Sequence, residues 1–228
     1  MMKNLNIYIV VAAYNEAKSI RTVISSLLEV YPNVVVVDDG SSDDTAAILT
    51  GYPITILRHI INRGQGAALQ TGIQHALHRG ADIIVTLDAD GQHDVCDIHA
   101  LVAPILSSDC DLTLGSRFLG KAHHIPFSRK IVLRGGVLFT QIFYRIKVTD
   151  VHNGIRALSR KAALSIQIKM DRMGHASEIL DQVHRAGLRI REIPVNIYYT
   201  DYSLKKGQSS WNFFRVAAEI LLEKASVR

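Results

Sequence analysis

Hydrophobic positions in the first half of the chain alternate between strand-like runs and helix-like spacings. Continuous apolar, β-branched runs, typical of strands buried on both faces, occupy residues 7–12, 34–37, 54–57, 83–87 and 112–114. Apolar residues recur at helical spacing over 20–28, a second helix is expected to open at 43–45, and further helices are expected over 65–78 and 95–106. Strands separated by helices of this length form βαβ units, so the pattern predicts an α/β fold with a mostly parallel sheet.

The second half of the chain carries a different pattern, which begins near residue 118. A short apolar stretch lies between cations at 129 and 147, and helices are predicted over 173–186 and 210–225. The sequence contains no internal repeat, low-complexity tract or clear linker. We therefore expect a single domain over residues 1–228 with helical additions in its second half.

Polar and acidic residues follow the predicted strands where the strands end. These groups lie at 13–16, 38–41, 88–93 and 115–117. Because open parallel sheets bind ligands at the carboxyl ends of their strands, the groups predict a ligand site along one edge. Asp38 and Asp39 are compatible with a turn and helix cap, or with one carboxylate that accepts hydrogen bonds from a nucleotide base while Gly40 allows a close backbone approach.

Asp88 and Asp90 are the most informative pair at this edge. Two carboxylates separated by one residue, directly after an apolar strand, can reach the same divalent ion, and Gln92 can add a carbonyl oxygen. Hard oxygen ligands suit Mg²⁺ or Mn²⁺ bridged to substrate phosphates. A turn that closes the strand is the plain alternative for such a pair. The neighbouring acidic strand ends favour the metal site.

Composition narrows the classes of protein without choosing one. Of 228 residues, 26 are Lys or Arg and 21 are Asp or Glu, which gives a formal net charge of +5, and 48% are hydrophobic. Disordered, collagen-like and small disulfide-rich proteins are excluded, and the two cysteines fit no metal pattern. No apolar run reaches the ~20 residues of a membrane span and no signal peptide is recognised, so we expect a cytoplasmic protein. The cationic excess suits nucleic acid, an anionic membrane or a phosphorylated ligand.

Six short motifs occur in the order seen in family 2 glycosyltransferases. They are Ala13-Tyr14-Asn15-Glu16, Asp38-Asp39-Gly40-Ser41, Arg63-Gly64-Gln65-Gly66-Ala67, Asp88-Ala89-Asp90-Gly91-Gln92, Gly115-Ser116-Arg117 and Asn153-Gly154-Ile155-Arg156. Over about residues 6–211 the chain most resembles the dolichyl-phosphate mannose synthase and polyprenyl-phosphate sugar synthase branch. The resemblance implies a GT-A-like nucleotide-sugar-binding fold, a mostly parallel mixed sheet flanked by helices. It also implies a nucleotide-sugar-binding half at 1–117 and an acceptor half at 118–228 with candidate membrane-surface helices.

The resemblance also implies roles for individual residues around the donor. The nucleotide sugar would be bound by residues of the first four motifs and the second strand: Ala12, Tyr14, Asn15, Glu16, Val37, Asp39, Gly66, Asp88, Ala89 and Asp90. A Mg²⁺ or Mn²⁺ ion would be held by Asp88, Asp90 and Gln92. Arg117 would face the diphosphate or the acceptor phosphate, since a guanidinium suits phosphate geometry. Asp88, Asp90 and Arg117 are thus the expected catalytic residues, which would stabilise the departing nucleoside diphosphate.

The expected acceptor is a polyprenyl phosphate, which is already ionised at neutral pH and needs no strong base. The acceptor phosphate would be bound by Arg117, Arg129, Arg134, Arg156, Lys206 and Ser209. Transfer to a hydroxyl commonly needs a carboxylate base, for which Glu178 and Asp181 are the candidates, and Asp150 also matches a family acid. The run from Leu204 to Trp211 departs from the mannose synthase pattern because Ser210 replaces its terminal lysine. Acceptor identity therefore stays open.

The sequence predicts an inverting, metal-dependent glycosyltransferase that moves a hexose from a GDP- or UDP-sugar to a polyprenyl phosphate. Cations around 129–147 suit peripheral contact with the cytoplasmic face of a membrane, or a separate small membrane protein would make that contact. The rival hypotheses are transfer to a hydroxyl of a lipid-linked glycan and a non-catalytic sugar-nucleotide-binding or membrane-recruitment module. Nucleic-acid binding is disfavoured because the cations do not interleave with aromatic residues in a recognised motif.

Overall fold

The computed structural model describes residues 5–123, 125, 130, 133–135, 137, 141, 147–171 and 174–199. Its strands are β1 (Ile7–Ala13), β2 (Val34–Asp38), β3 (Thr55–Arg58), β4 (Ile83–Asp88), β5 (Leu112–His123), β6 (Arg156–Ser159) and β7 (Ile190–Tyr198). Its helices are α1 (Ile20–Leu28), α2 (Thr45–Leu49), α3 (Gln65–His78), α4 (Asp97–Leu106), α5 (Arg160–Ser165) and α6 (His175–Arg185). The helix predicted over 210–225 lies outside the described residues.

The strands form one seven-stranded sheet in the order β3-β2-β1-β4-β6-β5-β7. β1 pairs in parallel with β2 and β4, β2 with β3, and β5 with β7. β6 runs antiparallel to both of its neighbours, β4 and β5. The prediction of a mostly parallel, mixed sheet flanked by helices is therefore confirmed, and the carboxyl ends of the parallel strands meet at one edge.

Both faces of the sheet are buried under helices. Successive side chains of a strand point to opposite faces. Ile9 and Val11 of β1 accordingly join a core cluster with α1, α2 and α4, whereas Val10 joins a second cluster with α3, α5 and α6. The continuous apolar runs in the sequence follow from this layering, because a strand residue meets a helical layer on whichever face it lies.

Helix α3 lies unusually close to the sheet because Gly72 has no side chain. A Cβ atom at Gly72 would collide with Val10 Cγ1 and lie 3.2 Å from Val37 Cγ2. The α3 backbone therefore rests directly on β1 and β2. This packing places the first turn of α3 beside the carboxyl ends of the central strands.

Several elements differ from the sequence-based expectation. β5 continues to His123 instead of ending near Leu114, because it resumes pairing with β7 after an irregularity between Ser116 and Lys121. α4 begins at Asp97, not at residue 95, since the Asp94 carboxylate accepts a hydrogen bond from the Cys96 N–H (2.9 Å) in the preceding turn. β6, α5 and β7 were not predicted. Within the part of the chain described above, no helix has both the length and the apolar character needed to cross a bilayer.

Candidate active site

The strand register brings the predicted donor-binding residues of three strands together. Ala12 of β1 pairs with Val37 of β2 on one side and with Asp88 of β4 on the other. These positions are the last or nearly the last of their strands, so the loops that follow leave the sheet side by side. Three residues that the sequence places in one donor site are thus neighbours at the carboxyl edge.

The loops after β1 and β2 are locked to each other by side-chain hydrogen bonds. Asn15, which has a positive φ of 54°, accepts from the Ser42 N–H at its Oδ1 (2.8 Å), and its own N–H donates to Ser41 Oγ (2.9 Å). The N–H of Glu16, a buried residue, donates to Thr45 Oγ1 (2.7 Å), whereas Tyr14 is exposed at the surface. Among the residues predicted to bind the donor, Asn15 and the Glu16 backbone therefore shape the loop.

Asp39 is buried and receives hydrogen bonds from the loop between β3 and α3. Its Oδ1 accepts from His59 Nδ1 (2.7 Å) and from the Arg63 N–H (3.0 Å), and its Oδ2 accepts from Asn62 Nδ2 (2.9 Å) and from the Gly64 N–H (2.6 Å). A carboxylate has about four acceptor positions, so these bonds use most of its capacity. The structure gives Asp39 a role in holding this loop, and its contact with a base stays a prediction.

Asp88 is contacted by residues from three separate parts of the chain. Gln65 Nε2 donates to its Oδ1 (2.5 Å), and His93 Nε2 lies 3.6 Å from its Oδ2. Gly154 packs against the carboxylate so closely that a Cβ atom would collide with both oxygens. Burial alone would raise the pKa of Asp88, but the nearby His93, together with the charges of Arg156 and His175, outweighs it and lowers the pKa.

Asp90 has a different environment from Asp88. Its Oδ1 accepts a hydrogen bond from the Gln92 N–H (3.0 Å). Burial, with the nearby charge of Asp88, raises the pKa of Asp90 to about 6. The loop after β4 that contains Asp90 and Gln92 is held by β7, because the Tyr198 N–H at the end of β7 donates to the Gln92 carbonyl (2.9 Å).

The chemistry of this pair fits a divalent cation. Two partly exposed carboxylates that repel each other are stabilised when a cation binds both, and Gln92 is buried next to them. The described residues contain no group of three or more His, Cys, Asp or Glu side chains suited to holding a metal ion. A site of one or two carboxylates completed by substrate phosphates is the usual arrangement for Mg²⁺.

Arg117 forms a buried cluster with Asp150 beside the acidic edge. Its Nε donates to Asp150 Oδ2 (2.6 Å), its Nη1 to Tyr199 Oη (2.6 Å) and its Nη2 to the His152 carbonyl (3.0 Å). Burial alone would lower the pKa of Arg117, but the charge of Asp150 outweighs it and raises the pKa. Asp150, which the sequence offered as a family acid, is thus the ion-pair partner of this arginine.

The backbone that carries Asp150 is itself held by β7. The Glu192 carboxylate accepts from the N–H groups of Thr149 (2.8 Å) and Asp150 (3.1 Å) and from the Thr149 hydroxyl (2.8 Å). Sequence reasoning did not single out Glu192. Its position in β7, an element that was itself missed, explains why no local pattern indicated it.

The predicted acceptor-binding cations have different environments. Arg156 is buried, its Nη2 donates to the Val151 carbonyl (3.2 Å), and its Nη1 has no hydrogen-bond partner among the described residues. Burial lowers the pKa of Arg156 against the opposing charges of Asp88 and Asp150. Arg134 is exposed, with its guanidinium carbon 6.0 Å from the centre of the Phe118 ring. Arg129, Lys206 and Ser209 lie outside the described residues.

Glu178 and Asp181 lie on α6 and make local contacts. Glu178 Oε2 accepts from the N–H groups of Lys169 (3.1 Å) and Met170 (2.9 Å), and its Oε1 accepts from the Lys169 N–H (3.0 Å) and from Gln182 Nε2 (3.1 Å). Asp181 pairs with Arg185 one helical turn away (2.8 Å), as expected for a solvated helix face. No contact described here joins either carboxylate to Asp88 or Asp90, so a base role stays a prediction.

Two side chains at Asp88 were not singled out from the sequence. Gln65 lies within the Arg63-Gly64-Gln65-Gly66-Ala67 motif, and His93 lies directly after the Asp88-Ala89-Asp90-Gly91-Gln92 motif. Gln65 is brought to Asp88 because α3 packs on β1 and β2. The sequence shows that Gln65 is a polar residue after a glycine at the start of a helix. It does not show that the Gln65 side chain contacts Asp88.

Comparisons with known proteins agree with the resemblance seen in the sequence. The family model described as Glycosyl transferase family 2 matches residues 8–166. UDP-N-acetylglucosamine--dolichyl-phosphate N-acetylglucosaminyltransferase of Methanococcus voltae is 32% identical, with 96% of this chain and 96% of the relative covered. Undecaprenyl-phosphate mannosyltransferase of Micrococcus luteus is 29% identical, with 84% and 83% covered.

A solved structure supports the fold. Glucosyl-3-phosphoglycerate synthase from Mycobacterium tuberculosis, in complex with Mn²⁺ and UDP-glucose, matches with a TM-score of 0.73 at 20% identity, over 96% of this chain and 77% of that one. At this identity the likeness concerns the fold alone. The family match and the Methanococcus relative go further: this chain is a glycosyltransferase and belongs to glycosyltransferase family 2.

Proposed function

We propose that the protein is an inverting, divalent-metal-dependent enzyme that transfers a hexose from a nucleoside diphosphate sugar to a polyprenyl phosphate. The observation that carries the proposal is the pair Asp88 and Asp90 at the carboxyl end of β4, where Asp88 pairs with Ala12 of β1 and Ala12 pairs with Val37 of β2. The relatives from Methanococcus voltae and Micrococcus luteus are named for transfer to dolichyl phosphate and undecaprenyl phosphate, which supports the acceptor class.

The chain's own residues divide the work of such a transfer. Asp88, Asp90 and Gln92 would hold Mg²⁺ or Mn²⁺, with Gln65, His93 and Gly154 fixing the Asp88 carboxylate. When bound, the cation supplies positive charge that stabilises the diphosphate leaving group. Ala12, Tyr14, Asn15, Glu16, Val37, Asp39, Gly66 and Ala89 are the proposed donor-binding positions.

Arg117 is proposed to bind a phosphate while remaining paired with Asp150. Each terminal nitrogen of a guanidinium carries two N–H groups. The bonds to Tyr199 and to the His152 carbonyl use one N–H on each terminal nitrogen. A second N–H on each therefore remains for phosphate oxygens, and Asp150 fixes the direction in which they point. Arg156, whose Nη1 has no described partner, supplies a second buried cation near Asp88.

Membrane contact is proposed through the cationic stretch that the sequence indicates. In this stretch Arg134 and Lys147 are exposed, and Leu119 is exposed nearby on β5. Cations beside exposed apolar residues suit an anionic lipid surface, where a polyprenyl phosphate is embedded. A separate small membrane protein that presents the acceptor is the other form of this proposal.

Product analysis tests the proposal directly. The purified protein is incubated with Mn²⁺, one of GDP-mannose, UDP-glucose or UDP-N-acetylglucosamine, and a polyprenyl phosphate in detergent. We expect an acid-labile polyprenyl phosphosugar from one donor. We also expect Asp90→Asn to lower its formation about a hundredfold or more, because leaving-group stabilisation is lost. Asp109→Asn, an exposed carboxylate before β5 at the opposite end of the strand, is the matched control.

Other outcomes would overturn parts of the proposal. A glycosidic disaccharide on a lipid-linked glycan, with no phosphosugar, would identify the hydroxyl-acceptor alternative. Metal-dependent donor hydrolysis that Asp90→Asn abolishes would exclude a non-catalytic module. If no donor yields product and none raises the melting temperature in the presence of Mn²⁺, the donor site at Ala12, Asp39 and Asp90 is wrong.

A further inference from the structure

Residues 166–171, here called the bridging segment, connect α5 to the region before α6 and are held by side chains. The Gln167 N–H donates to Gln182 Oε1 (2.7 Å) and the Ile168 N–H to Gln70 Oε1 (2.7 Å). The N–H groups of Lys169 and Met170 donate to Glu178. Four consecutive backbone donors are thus satisfied by side chains of α3 and α6, which determines where the segment lies.

The bridging segment lies directly on the first turn of α3. The Ala67 N–H donates to the Asp171 carbonyl (3.2 Å), and Arg63 pairs with the Asp171 carboxylate (3.2 Å). A Cβ atom at Gly66 would collide with the Met170 carbonyl oxygen. The Met170 carbonyl therefore occupies the space beside Gly66, and the Met170 N–H donates to the Glu178 carboxylate.

The first turn of α3 also includes Gln65, which contacts Asp88. Gln65, adjacent to Gly66, donates its side-chain N–H to Asp88 Oδ1 (2.5 Å). A continuous series of contacts therefore leads from the Glu178 carboxylate through Met170 and Gly66 to Gln65 and Asp88. A shift of the bridging segment would change the position of the Gln65 amide, since the two are linked through one rigid helical turn.

We propose that Glu178 is a positioning residue of the donor site and that it does not serve as a base. Its carboxylate holds the bridging segment over Gly66, and thereby sets the Gln65 amide against Asp88. The inference rests on the proposed donor site at Asp88 and Asp90. It replaces the sequence-based hypothesis of proton abstraction, because the hydrogen bonds from Lys169, Met170 and Gln182 use the acceptor positions that a base would need.

Two variants separate positioning from proton transfer. Glu178→Gln keeps the size of the side chain but replaces one acceptor oxygen with a donor that faces backbone N–H groups. Gln70→Ala removes the acceptor for the Ile168 N–H. Because the Gln70 amide cannot act as a base, an effect of this variant reports positioning alone. Asp181→Asn on the same helix, whose partner is Arg185, is the matched control. Positioning predicts that the first two variants behave alike.

Hydrogen exchange on the free protein tests the first step. We expect amide exchange at residues 168–170 to accelerate about tenfold in Glu178→Gln, since opening of the segment becomes easier, and to stay unchanged in Asp181→Asn. This readout needs no donor or acceptor. Unchanged exchange in Glu178→Gln would overturn the proposed hold on the bridging segment.

Donor binding and kinetics test the second step. We expect Glu178→Gln and Gln70→Ala each to weaken Mn²⁺-dependent donor binding about tenfold and to raise the donor KM, with kcat within about threefold and the pH profile unmoved. A base would instead show a kcat loss of about 10²-fold or more, intact donor binding and a lost acid limb. That result overturns the inference. If the unmodified protein binds no donor while exchange responds as expected, the proposed function fails and the hold on the segment stands.

Discussion

At the scale of single residues, the carboxylates of Asp88 and Asp90 have different surroundings. Asp88 is held by Gln65 and packed by Gly154, and the sum of its neighbours lowers its pKa. Asp90 is partly buried, is hydrogen-bonded only to the Gln92 N–H in the described contacts, and has a pKa raised to about 6. Asp88 is therefore held by neighbouring side chains, whereas the charge of Asp90 would be balanced by the cation of the proposed site.

Gly154→Ala tests how much the site depends on the position of Asp88. The added Cβ would collide with both carboxylate oxygens, so the Asp88 side chain must move while the surrounding strands remain paired. We expect transfer activity to fall about a hundredfold, since a displacement near 1 Å at a reacting group has that effect. Gly51→Ala, where the nearest atom would be 3.6 Å away, is the control.

Activity and folding are measured separately for this variant. A melting temperature close to that of the unmodified protein, combined with the activity loss, assigns the effect to the site. Retained activity in Gly154→Ala would show that Asp88 tolerates displacement, and would contradict a metal-binding role that requires its present position.

At the scale of elements, the approach of α3 to the sheet positions Gln65. That approach depends on Gly72, whose missing side chain leaves room for Val10 of β1 and Val37 of β2. A larger residue would move α3 outward and carry Gln65 away from Asp88. Packing in the middle of the helix and geometry at its first turn are therefore connected.

Gly72→Ala is expected to destabilise the protein by about 1–2 kcal/mol. Overpacking of a core costs about 1–3 kcal/mol, and the collision with Val10 Cγ1 is severe, so it outweighs the ~1 kcal/mol that alanine gains in a helix interior. Urea denaturation measures the difference. Gly135→Ala, where no atom of the described residues lies within 4 Å, should not destabilise the protein. A more stable Gly72→Ala variant would show that α3 adjusts freely.

The sequence predicted the first five strands and the helices between them because their periodicities reflect burial on both faces. β6 escaped prediction because it has only four residues, and its place between β4 and β5 depends on pairing with distant strands. β7 was missed for a similar reason: its exposure alternates in part and its partner is β5. Tertiary pairing, which leaves little local trace, determined both.

The candidate site was likewise predictable from the sequence only in part. Asp88 and Asp90 were recognisable since they follow a strand and occur in a motif. Glu192 and the contact of Gln65 with Asp88 were not, because each depends on how a helix or strand packs against a distant loop. The arrangement of Arg117 with Asp150 also arises from packing, although the sequence marked both residues.

At the scale of the whole molecule, Asp111 connects the start of β5 to β7 and α5. It is buried at the start of β5, and its carboxylate accepts from the Arg189 N–H (2.9 Å) before β7 and lies 3.4 Å from Lys161 Nζ on α5. The hydrogen bond from the Arg189 backbone, with further contacts from the Arg189 and Lys161 side chains, lowers the pKa of Asp111 against the effect of burial. β5, β7 and α5 are therefore linked through the Asp111 carboxylate.

Asp111→Asn should therefore show a pH-dependent loss of stability. A carboxylate whose pKa is lower in the folded state contributes stability above its unfolded pKa of about 3.9, and loses it as the pH falls through the folded value. We expect the variant to be about 1–3 kcal/mol less stable at pH 7, with the difference shrinking below about pH 4. Urea denaturation across that range measures it. A difference that stays constant with pH would contradict an ionised role for Asp111.

The reversed direction of β6 has a consequence for how this protein can vary. Arg156 at the start of β6 pairs with both Thr86 of β4 and Leu114 of β5, so the chain comes back to the ligand edge between these two strands. The excursion that leaves β5 after His123 therefore begins and ends at one edge of the sheet. Insertions or exchanges early in this excursion would leave the spacing of the strands that carry Asp88 and Arg117 unaltered, whereas its last residues, Asp150 and Gly154, contact Arg117 and Asp88 and would have to be kept. Under the proposed function, a different acceptor could thus be accommodated while the strands that carry the proposed donor site stay unchanged.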